Sequence, residues 1–271
     1  MERLWADQTP FNDMKDLNVA CLQTDIVWQD RDANIRHYDD LIGGINTDID
    51  LVLLPETFNT AFPVDAYGYA EKRDGVTMQW MRAVARKKGI VVAGTLLLDD
   101  PDGYYNTFVW MRPDGSFQTY RKRHTFALGG EGSPIGRGDS RLIVELEGWK
   151  IMPLVCYDLR FPVWSRNSFS DNGFAYDVLV YVANFPDSRM AVWDTLLKAR
   201  AIENQAYVVA VNRVGLTPDE TCYSGHSQVI DSKGDVVCSA QNGKEEVLVS
   251  TLCADALASF RQKFAVANDW D

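Results

Sequence analysis

The sequence predicts a single domain of the α/β class, in which helices cover the outer faces of β-sheets. Two observations support this prediction. Apolar runs typical of buried strands alternate with segments whose apolar residues recur at helical spacing, and no linker rich in Pro, Gly or Ser divides the 271 residues. We therefore expect one domain over 17–271, preceded by an unassigned N-terminal extension at 1–16.

The first part of the chain contains three predicted strands and two predicted helices. The run DLVLLPE at 50–56 is continuously apolar until Pro55, as expected of a strand that is buried on both faces. Lys87, Lys88 and the following Gly89 have the composition of a helix end. In order, the predicted elements are a strand at 17–26, a helix over 33–45, a strand at 50–56, a helix around 78–88 and a strand at 90–98.

The remainder of the chain is first rich in strands and then returns to alternating strands and helices. Pro-Asp-Gly-Ser at 113–116 has the composition of a tight turn between two strands. Predicted strands lie at 105–111, 116–124, 141–148, 149–156, 175–184, 206–214, 223–230, 234–239 and 246–251. Predicted helices lie at 188–205 and from 255 to about 264.

Composition and charge exclude several classes of partner. The net charge of -11 argues against binding to a nucleic-acid backbone or to an anionic membrane surface. No apolar run approaches the ~20 residues of a membrane-spanning helix, and the N-terminal residues lack the pattern of a signal peptide. The five cysteines are widely spaced and form no C-x-x-C pair. We therefore expect free thiols in the cytoplasm, with neither disulfides nor a zinc site.

Three chemically reactive side chains directly follow apolar runs or lie at the end of a predicted strand. Glu56 follows LVLLP, Lys122 lies within TYRKRH, and Cys156 ends the apolar run that begins IMPLV. Ligands of α/β sheets tend to bind outside the carboxyl ends of the strands. The three side chains are therefore candidates for one common pocket, with the thiol at the end of its strand so that it faces this pocket.

Each of the three residues also has a purely structural interpretation. A cysteine at a strand end is often a small core residue, and a glutamate after a proline is usually a solvated turn residue. A lysine flanked by two arginines is usually a surface cation on an edge strand. Strand alternation, however, turns Lys122 away from both arginines and onto the face that carries Tyr120 and His124. No single one of these residues decides between structure and catalysis.

A Cys–His pair is the alternative arrangement for a thiol nucleophile. The chain has three histidines, His37, His124 and His226, and none lies in a papain-type or caspase-type signature. No G-x-S-x-G motif indicates a serine nucleophile. The glycine-rich segment 127–139 lacks the phosphate-loop and dinucleotide-binding patterns, and we interpret it as a loop.

Three segments together resemble the signature segments of the nitrilase, or carbon–nitrogen hydrolase, superfamily in their usual order. They are LLPETF at 53–58, YRKRH at 120–124 and LVCYDLRFP at 154–162. The similarity continues through 181–186, 193–215 and 225–236, and it covers about 17–264. Within the superfamily, CYDLRFPVWSR together with YVANFP looks most like the omega-amidases, which hydrolyse the distal amide of 2-oxo-dicarboxylic acid monoamides.

The resemblance implies a four-layer α-β-β-α sandwich of the nitrilase type, and assembly into homodimers or larger homo-oligomers. It implies no cofactor and no metal. It makes Cys156 the nucleophile, Glu56 the general base and Lys122 the cation at the oxyanion. Glu131 matches the second glutamate of the superfamily, which is held near the lysine and the substrate.

These implied roles agree with the chemistry of thiols. A free cysteine has a pKa of about 8.5, so we expect the Lys122 ammonium to help populate the Cys156 thiolate. The thiolate attacks an amide carbonyl, and Lys122 together with a backbone N–H of the Cys156–Tyr157 turn stabilises the negative oxygen. Glu56 passes the thiol proton to the departing ammonia and then activates the hydrolytic water.

The small-molecule substrate expected from the resemblance is 2-oxoglutaramate or 2-oxosuccinamate, which carries a carboxylate remote from the scissile amide. The expected substrate contacts are Tyr157, Arg160, Asn184 and Phe185. Arg160 is either a bidentate clamp for the remote carboxylate or a brace that pairs with Asp158 or another acid. If Arg160 is a brace, the next candidates are Tyr157, Arg137 and Arg189.

Other interpretations stay open at this point. The same fold supports N-carbamoyl amino acid amidohydrolases and true nitrilases, and carbon dioxide accompanies ammonia only in the carbamoyl case. A protein of a different class, a non-catalytic thiol sensor or binding protein, would keep the pocket and would react with thiol reagents without turning over an amide.

Overall fold

The structure, a computed structural model, describes residues 14–62, 66–132 and 134–270. Two large β-sheets pack face to face, and helices cover their outer faces. The predicted four-layer α-β-β-α sandwich is therefore confirmed. Within the predicted N-terminal extension, residues 1–13 lie outside the described residues.

The predicted strands and helices appear in the expected order, together with several short additional elements. The strands are β1 (Leu17–Gln23), β2 (Leu51–Leu53), β3 (Val91–Asp100), β4 (Gly103–Met111), β5 (Phe117–Arg121), β6 (Ile135–Gly136), β7 (Val144–Leu146), β8 (Trp149–Val155), β9 (Phe169–Ser170), β10 (Gly173–Phe174), β11 (Val178–Ala183), β12 (Tyr207–Asn212), β13 (Val214–Leu216), β14 (Cys222–Ser224), β15 (Gln228–Ile230), β16 (Val236–Ser239) and β17 (Glu246–Leu252). The helices are α1 (Arg31–Gly43), α2 (Ala66–Tyr69), α3 (Val76–Lys88), α4 (Pro162–Ser165), α5 (Met190–Asn204) and α6 (Ala254–Lys263). Short 3₁₀ helices lie at Ala127–Gly129, Cys156–Arg160, Asp187–Arg189 and Val266–Asp269. None of the described helices is both long and apolar enough to cross a membrane.

The first sheet has the strand order β17-β1-β2-β3-β4-β5, and β6 pairs with β4. Strands β1, β2 and β3 run parallel, and the last strand of the chain, β17, returns antiparallel to β1 with Leu252 opposite Leu17. Helices α1 and α3 bury Tyr38, Met78 and Met81 against this sheet. The apolar spacing of these helices thus forms the outer layer that the sequence predicts.

The second sheet has the strand order β16-β15-β12-β11-β8-β7. Strands β8, β11 and β12 run parallel, so their carboxyl ends meet at one edge. Helix α5 packs against β12 and buries Trp193 and Leu197. One buried cluster joins Trp110 of β4 to the apolar residues of β8 and β11. The two sheets therefore share a core, and strand ends from both sheets meet at its margin.

Left-handed backbone follows one predicted strand, which is shortened, and divides another. The segment 50–56 contributes only the three residues of β2, and just beyond it Thr57 has a φ of 43°, in the left-handed region. The segment 223–230 is divided by Gly225 and His226, whose φ angles are 82° and 60°. Left-handed backbone is incompatible with an extended strand. As a result β14 pairs with β13 in a separate hairpin, and only β15 joins the second sheet.

The predicted turn at 113–116 is confirmed. The Arg112 N–H donates to the Ser116 carbonyl at 2.9 Å, and Gly115 has the positive φ of 87° that this turn requires. The hairpin fixes β5 against β4, and the Lys122 N–H extends the pairing by donating to the Asn106 carbonyl at 2.8 Å. Lys122 is thereby placed at the end of an ordered strand.

Candidate active site

The structure brings Glu56, Lys122 and Cys156 together at the margin between the two sheets. Glu56 comes after β2 and Lys122 after β5, both in the first sheet, whereas Cys156 follows β8 of the second sheet. Glu56 and Lys122 are each only 1% exposed. The convergence that the strand ends suggested is therefore present, and it requires both sheets to be in place.

Lys122 occupies the centre of a closed network of buried polar groups. Its Nζ atom lies 2.8 Å from Glu56 Oε1 and 2.7 Å from Glu131 Oε2. The Asn106 side-chain amide closes the network by donating at 2.9 Å to Glu56 Oε1 and at 2.9 Å to Glu131 Oε1. The Phe126 N–H adds a bond of 2.7 Å to Glu131 Oε2. Each charged side chain in the network is thus compensated by charge-assisted hydrogen bonds.

The two carboxylates keep Lys122 charged despite its burial. Burial by itself lowers the pKa of an ammonium group, but the carboxylates of Glu131 and Glu56 outweigh this effect and raise the pKa of Lys122 above its ordinary value. Burial raises the pKa of the Glu131 carboxyl, an effect that the Lys122 ammonium opposes and the Glu56 charge reinforces. Lys122 is therefore a permanent cation beside the thiol.

Glu56 is fixed by contacts with the strand end that follows β11. The Asn184 N–H donates to Glu56 Oε2 at 2.9 Å, and the Asn184 side-chain amide donates to the Glu56 carbonyl at 2.8 Å. The same amide donates to Thr57 Oγ1 at 3.0 Å. Asn184, which the sequence predicts as a substrate contact, therefore holds the carboxylate in position.

Cys156 stands at a sharp change of backbone direction. Its φ of 43° lies in the left-handed region, which costs a non-glycine residue on the order of 1–3 kcal/mol. The strand β8 ends at this residue and the 3₁₀ helix Cys156–Arg160 begins. The left-handed residue turns the thiol out of the strand and toward the polar network, where its Sγ lies 3.9 Å from the Asn184 carbonyl oxygen.

The buried carboxylate of Asp158 anchors this turn. Its Oδ2 atom accepts hydrogen bonds from the Val155 N–H at 3.1 Å and from the Tyr120 hydroxyl at 2.7 Å. Its Oδ1 atom accepts from the His124 N–H at 3.0 Å and lies 2.8 Å from His124 Nδ1. Asp158 thus ties the turn at Cys156, which follows a strand of the second sheet, to the strand end at Lys122 in the first sheet.

The Lys122 ammonium acts on the Cys156 thiol in the expected direction, but burial and the Glu56 carboxylate act against it more strongly. Burial raises the pKa of the thiol well above its ordinary value, and the Glu56 carboxylate raises it further. Lys122 lowers it, as the sequence suggests, but does not prevail. The thiol is therefore protonated at rest, and its activation depends on transfer of the proton to a base such as Glu56.

The catalytic network opens into a cavity of about 240 Å³. All four residues that the sequence assigns to substrate contact line this cavity, together with further aromatic, polar and charged side chains. The lining residues are Trp28, Glu56, Phe62, Lys122, Phe126, Gly129, Cys156, Tyr157, Arg160, Asn184, Phe185, Pro186, Arg189, Thr217, Asp219, Thr221 and Tyr223.

Two arginines on the cavity wall have no carboxylate partner among the described residues. The Arg160 guanidinium lies over the Phe185 ring at 5.9 Å, and the Arg189 guanidinium lies over the Phe126 ring at 4.8 Å. The alternative in which Arg160 braces Asp158 does not correspond to the structure, because Asp158 is engaged by other donors. The remaining candidate, Arg137, does not line the cavity and donates to Thr125 Oγ1 at 3.2 Å.

No histidine of the chain is positioned to activate the thiol. His37 lies 2.8 Å from Glu245, and His226 lies 3.0 Å from Asp194. His124 is held by Asp158 and its ring stacks on Phe161 at 3.7 Å. None of the three lines the cavity, so the structure does not form the Cys–His pair of the alternative interpretation.

Asn106 and the anchoring role of Asp158 are not predicted from the sequence. Asn106 lies on the same face of β4 as the buried residues Phe108 and Trp110. A side-chain amide on an otherwise apolar, buried face is a signal that could have singled it out. The sequence indicates Asp158 only as a partner for Arg160, because its contacts with β5 are invisible without the fold.

A four-layer sandwich with a half-buried cysteine beside a buried glutamate and lysine between its sheets defines a class of thiol-dependent hydrolase. The chain belongs to the carbon–nitrogen hydrolase family, whose model matches residues 18–262. The family resemblance inferred from the three signature segments is thereby confirmed, and with it the prediction that the protein is a carbon–nitrogen hydrolase.

Individual relatives within this family are similar over nearly their whole length. The omega-amidase YafV of Escherichia coli is 41% identical over 258 residues, which cover 95% of this chain and 98% of that protein. The 2-oxoglutaramate amidase of Bacillus subtilis is 33% identical over 255 residues, which cover 93% of this chain and 96% of that protein. A crystal structure of a family member from Xanthomonas campestris, with an arsenic adduct in its active site, matches with a TM-score of 0.93 at 41% identity and covers 95% of this chain and 98% of that chain.

Proposed function

We propose that this protein is an omega-amidase that hydrolyses the distal amide of 2-oxo-dicarboxylic acid monoamides, such as 2-oxoglutaramate or 2-oxosuccinamate, to the oxo-dicarboxylate and ammonia. The observation that carries the proposal is the cavity itself. It combines the half-buried Cys156 and the buried Glu56 and Lys122 with an arginine, Arg160, that no carboxylate of the described residues neutralises. The names of the relatives from Escherichia coli and Bacillus subtilis support the same substrate class.

Catalysis begins with the protonated thiol of Cys156. When the amide carbonyl lies against Sγ, Glu56 takes the thiol proton and sulfur attacks the carbonyl carbon. The C=O electron pair moves to oxygen, and the Lys122 ammonium together with a backbone N–H of the Cys156–Tyr157 turn stabilises the negative charge. One such preorganised donor is typically worth about 10²–10³ in rate.

The tetrahedral intermediate then breaks its C–N bond. Glu56 gives its proton to the departing nitrogen, ammonia leaves, and a thioester joins the acyl group to Cys156. A water molecule attacks this thioester while Glu56 accepts one of its protons. The C–S bond breaks, the proton returns to sulfur, and the acyl group leaves as a carboxylic acid, which loses its remaining proton to solvent. Glu56 therefore serves twice as base and twice as acid, for which its fixed position is suited.

Glu131 and Arg160 have supporting roles in this scheme. Glu131 holds Lys122 at 2.7 Å and keeps it protonated, so that the cation stays beside the reacting oxygen. Arg160 clamps the remote carboxylate of the substrate, because a guanidinium can bind a carboxylate through two parallel hydrogen bonds. Tyr157 and Phe185 form part of the wall between the two ends of the substrate.

The proposal is tested by ammonia release from a panel of primary amides with and without a distal carboxylate. We expect rapid turnover of 2-oxosuccinamate and 2-oxoglutaramate, and much slower turnover of neutral amides of the same length. Preference for neutral amides or nitriles would contradict the proposal, and carbon dioxide released with ammonia would indicate a carbamoyl substrate.

Cys156→Ala is the matched control for this panel, and Cys222→Ala is the control for an exposed thiol. Cys156→Ala should lower turnover by more than about a thousandfold, since it removes the nucleophile of a cooperating set. Cys222→Ala should leave the rate unchanged. A non-catalytic thiol sensor would instead be labelled at Cys156 by thiol reagents and release no ammonia from any amide.

We also propose that the protein acts in the cytoplasm as a homodimer or larger homo-oligomer and binds neither nucleic acid nor membrane. The five cysteines are all free thiols, which suits a reducing compartment. The net charge of -11 disfavours polyanionic partners. Light scattering during gel filtration measures the assembly state, and a monomeric mass would contradict this part of the proposal.

A further inference from the structure

Tyr223 is a cavity residue that the catalytic scheme does not use. It lies in β14, within the hairpin that β13 and β14 form beside the second sheet, and it lines the cavity together with Cys156 and Glu56. Its hydroxyl has no hydrogen-bond partner among the described residues. Largely buried tyrosine hydroxyls usually have such a partner. The cavity therefore contains one neutral donor that is available to a ligand.

The ring of Tyr223 is held in a fixed position. The Arg213 guanidinium lies over it at 4.8 Å from the ring centroid. Arg213 is itself only 1% exposed, and its Nη2 atom donates to Asp25 Oδ1 at 2.8 Å and to the Ile26 carbonyl at 3.1 Å. Its Nε atom donates to the Val214 carbonyl at 3.0 Å. The hydroxyl is thus preorganised, which lowers the entropic cost of a hydrogen bond to a ligand.

The phenol stays protonated across the physiological pH range. Burial raises the pKa of Tyr223 to about 12, against the opposing charge of Arg213, and the nearby Glu56 carboxylate adds to the rise. The hydroxyl is therefore a neutral donor, which suits a carbonyl oxygen. A ligand carboxylate can instead pair with the cationic Arg160 or Arg189, which also line the cavity.

We propose that the Tyr223 hydroxyl donates a hydrogen bond to the 2-oxo group of the substrate and so favours 2-oxo acids over their deoxy analogues. The inference rests on the proposed function, in which Cys156 and Lys122 take the amide and Arg160 takes the carboxylate. The 2-oxo oxygen is the remaining polar group of such a substrate. A cavity of about 240 Å³ is smaller than the sites of drug-sized ligands, so a substrate that fills it contacts most of the wall.

Tyr223→Phe tests the inference on two matched substrate pairs, 2-oxosuccinamate with succinamate and 2-oxoglutaramate with glutaramate. We expect kcat/KM for each oxo substrate to fall about three- to tenfold, the range of one neutral hydrogen bond, with kcat/KM for each deoxy partner changed less than about twofold. The oxo-to-deoxy ratio of the wild type is thus expected to shrink. An equal loss within each pair, or no loss in either member, would overturn the inference.

Two further variants sharpen this test. Tyr104 lies on β4 and does not line the cavity. Tyr104→Phe is therefore the control for removal of a hydroxyl, and it should leave both oxo-to-deoxy ratios unchanged. Tyr157→Phe removes the other tyrosine hydroxyl of the cavity. If the oxo-to-deoxy ratio falls in Tyr157→Phe and not in Tyr223→Phe, a different residue contacts the 2-oxo group and the inference is wrong.

Binding of products to a Cys156→Ala background separates recognition from chemistry. Calorimetric titration should show tighter binding of 2-oxoglutarate than of glutarate, and the difference should disappear when Tyr223→Phe is added. A difference that persists in the double variant would overturn the inference. Failure of the wild-type enzyme to release ammonia from any of the four amides would instead overturn the proposed function, so the two failures are distinguishable.

Discussion

At the scale of single residues, charge and burial around Cys156 decide how the thiol is activated. The Glu56 carboxylate and the burial of the sulfur raise the thiol pKa, and they prevail over the nearby Lys122. The Lys122 ammonium lies 2.8 Å from one carboxylate and 2.7 Å from another. Because these negative charges offset its positive charge, its effect on the pKa of the thiol is reduced. In the proposed mechanism the thiol consequently needs a base for each attack, and Lys122 is left to stabilise the oxyanion.

The pH dependence of thiol labelling follows from these shifts. Because the pKa of Cys156 is raised, the thiolate forms only at high pH, and alkylation by iodoacetamide should be slow at neutral pH and rise in alkaline solution. Glu56→Gln removes one cause of the raised pKa and should move this rise to lower pH, whereas Lys122→Gln should move it higher. Mass spectrometry of the peptide that contains Cys156 measures the rate. Full labelling speed at pH 7 in the wild type would contradict the prediction.

Asn106 is predicted to position both buried carboxylates. Among the described residues, Asn106 and Lys122 are the two side chains that donate to both Glu56 and Glu131. Asn106→Ala removes the uncharged one. We expect kcat to fall about ten- to a hundredfold with little change in KM, because the general base loses its orientation while the substrate contacts stay. Steady-state kinetics measure kcat and KM separately. A change in KM alone would contradict this role.

At the scale of elements, the site depends on how three strand ends are joined. The 3₁₀ helix Cys156–Arg160 follows β8, and the residues after β5 lie beside it because both contact the carboxylate of Asp158. Four donors converge on that one buried carboxylate. The strained φ of Cys156 persists because the surrounding contacts hold the turn.

Asp158→Asn is expected to loosen this junction. The isosteric amide keeps one acceptor oxygen and replaces the other with an N–H₂ group, which leaves buried donors unpaired at a cost of about 1–3 kcal/mol each. The free energy of unfolding in urea should fall accordingly, and turnover should fall with it because Cys156 is misplaced. Asp171→Asn, at an exposed position, is the matched control. It should change the free energy of unfolding by no more than about 0.5 kcal/mol and turnover by no more than about twofold. Unchanged stability in Asp158→Asn would show that the carboxylate does not anchor the turn.

At the scale of the whole molecule, the two sheets must dock before any catalytic centre exists. Glu56 and Lys122 come from the first sheet and Cys156 from the second, and the apolar residues between the sheets determine their separation. Trp110 lies in this shared core with 0% exposure, and its Nε1 atom has no hydrogen-bond partner among the described residues.

Substitutions of Trp110 should separate volume from polarity in this core. Trp110→Ala leaves a large cavity between the sheets and should lower the free energy of unfolding by about 3–5 kcal/mol. Trp110→Phe keeps an aromatic ring and removes an unpaired donor, so its cost should be clearly smaller. Equilibrium unfolding in guanidinium measures both values. Equal destabilisation by the two variants would mean that the indole N–H is satisfied and contributes to stability.

The chain order of the elements and the three reactive strand ends were predictable from the sequence, because hydrophobic periodicity and turn composition are local properties. The alternation that turns Lys122 away from its arginine neighbours is equally local, and in the structure Lys122 is buried beside Glu56. The signature segments predicted the family. The division of 223–230 into β14 and β15 was not predictable, since it depends on left-handed backbone at two residues.

The protonation state of Cys156, the bridging amide of Asn106 and the anchoring carboxylate of Asp158 were decided only by the tertiary structure. Each depends on distances between residues that are far apart in sequence: Asn106 lies 50 positions from Glu56, and Tyr120 lies 38 positions from Asp158. Coulomb interactions depend on the distance between charges in space, and burial depends on which groups pack around a side chain. Neither depends on separation along the chain. The sequence by itself therefore determined which side chains could react, and the packing of the two sheets determined their charges, their partners and the cavity that they share.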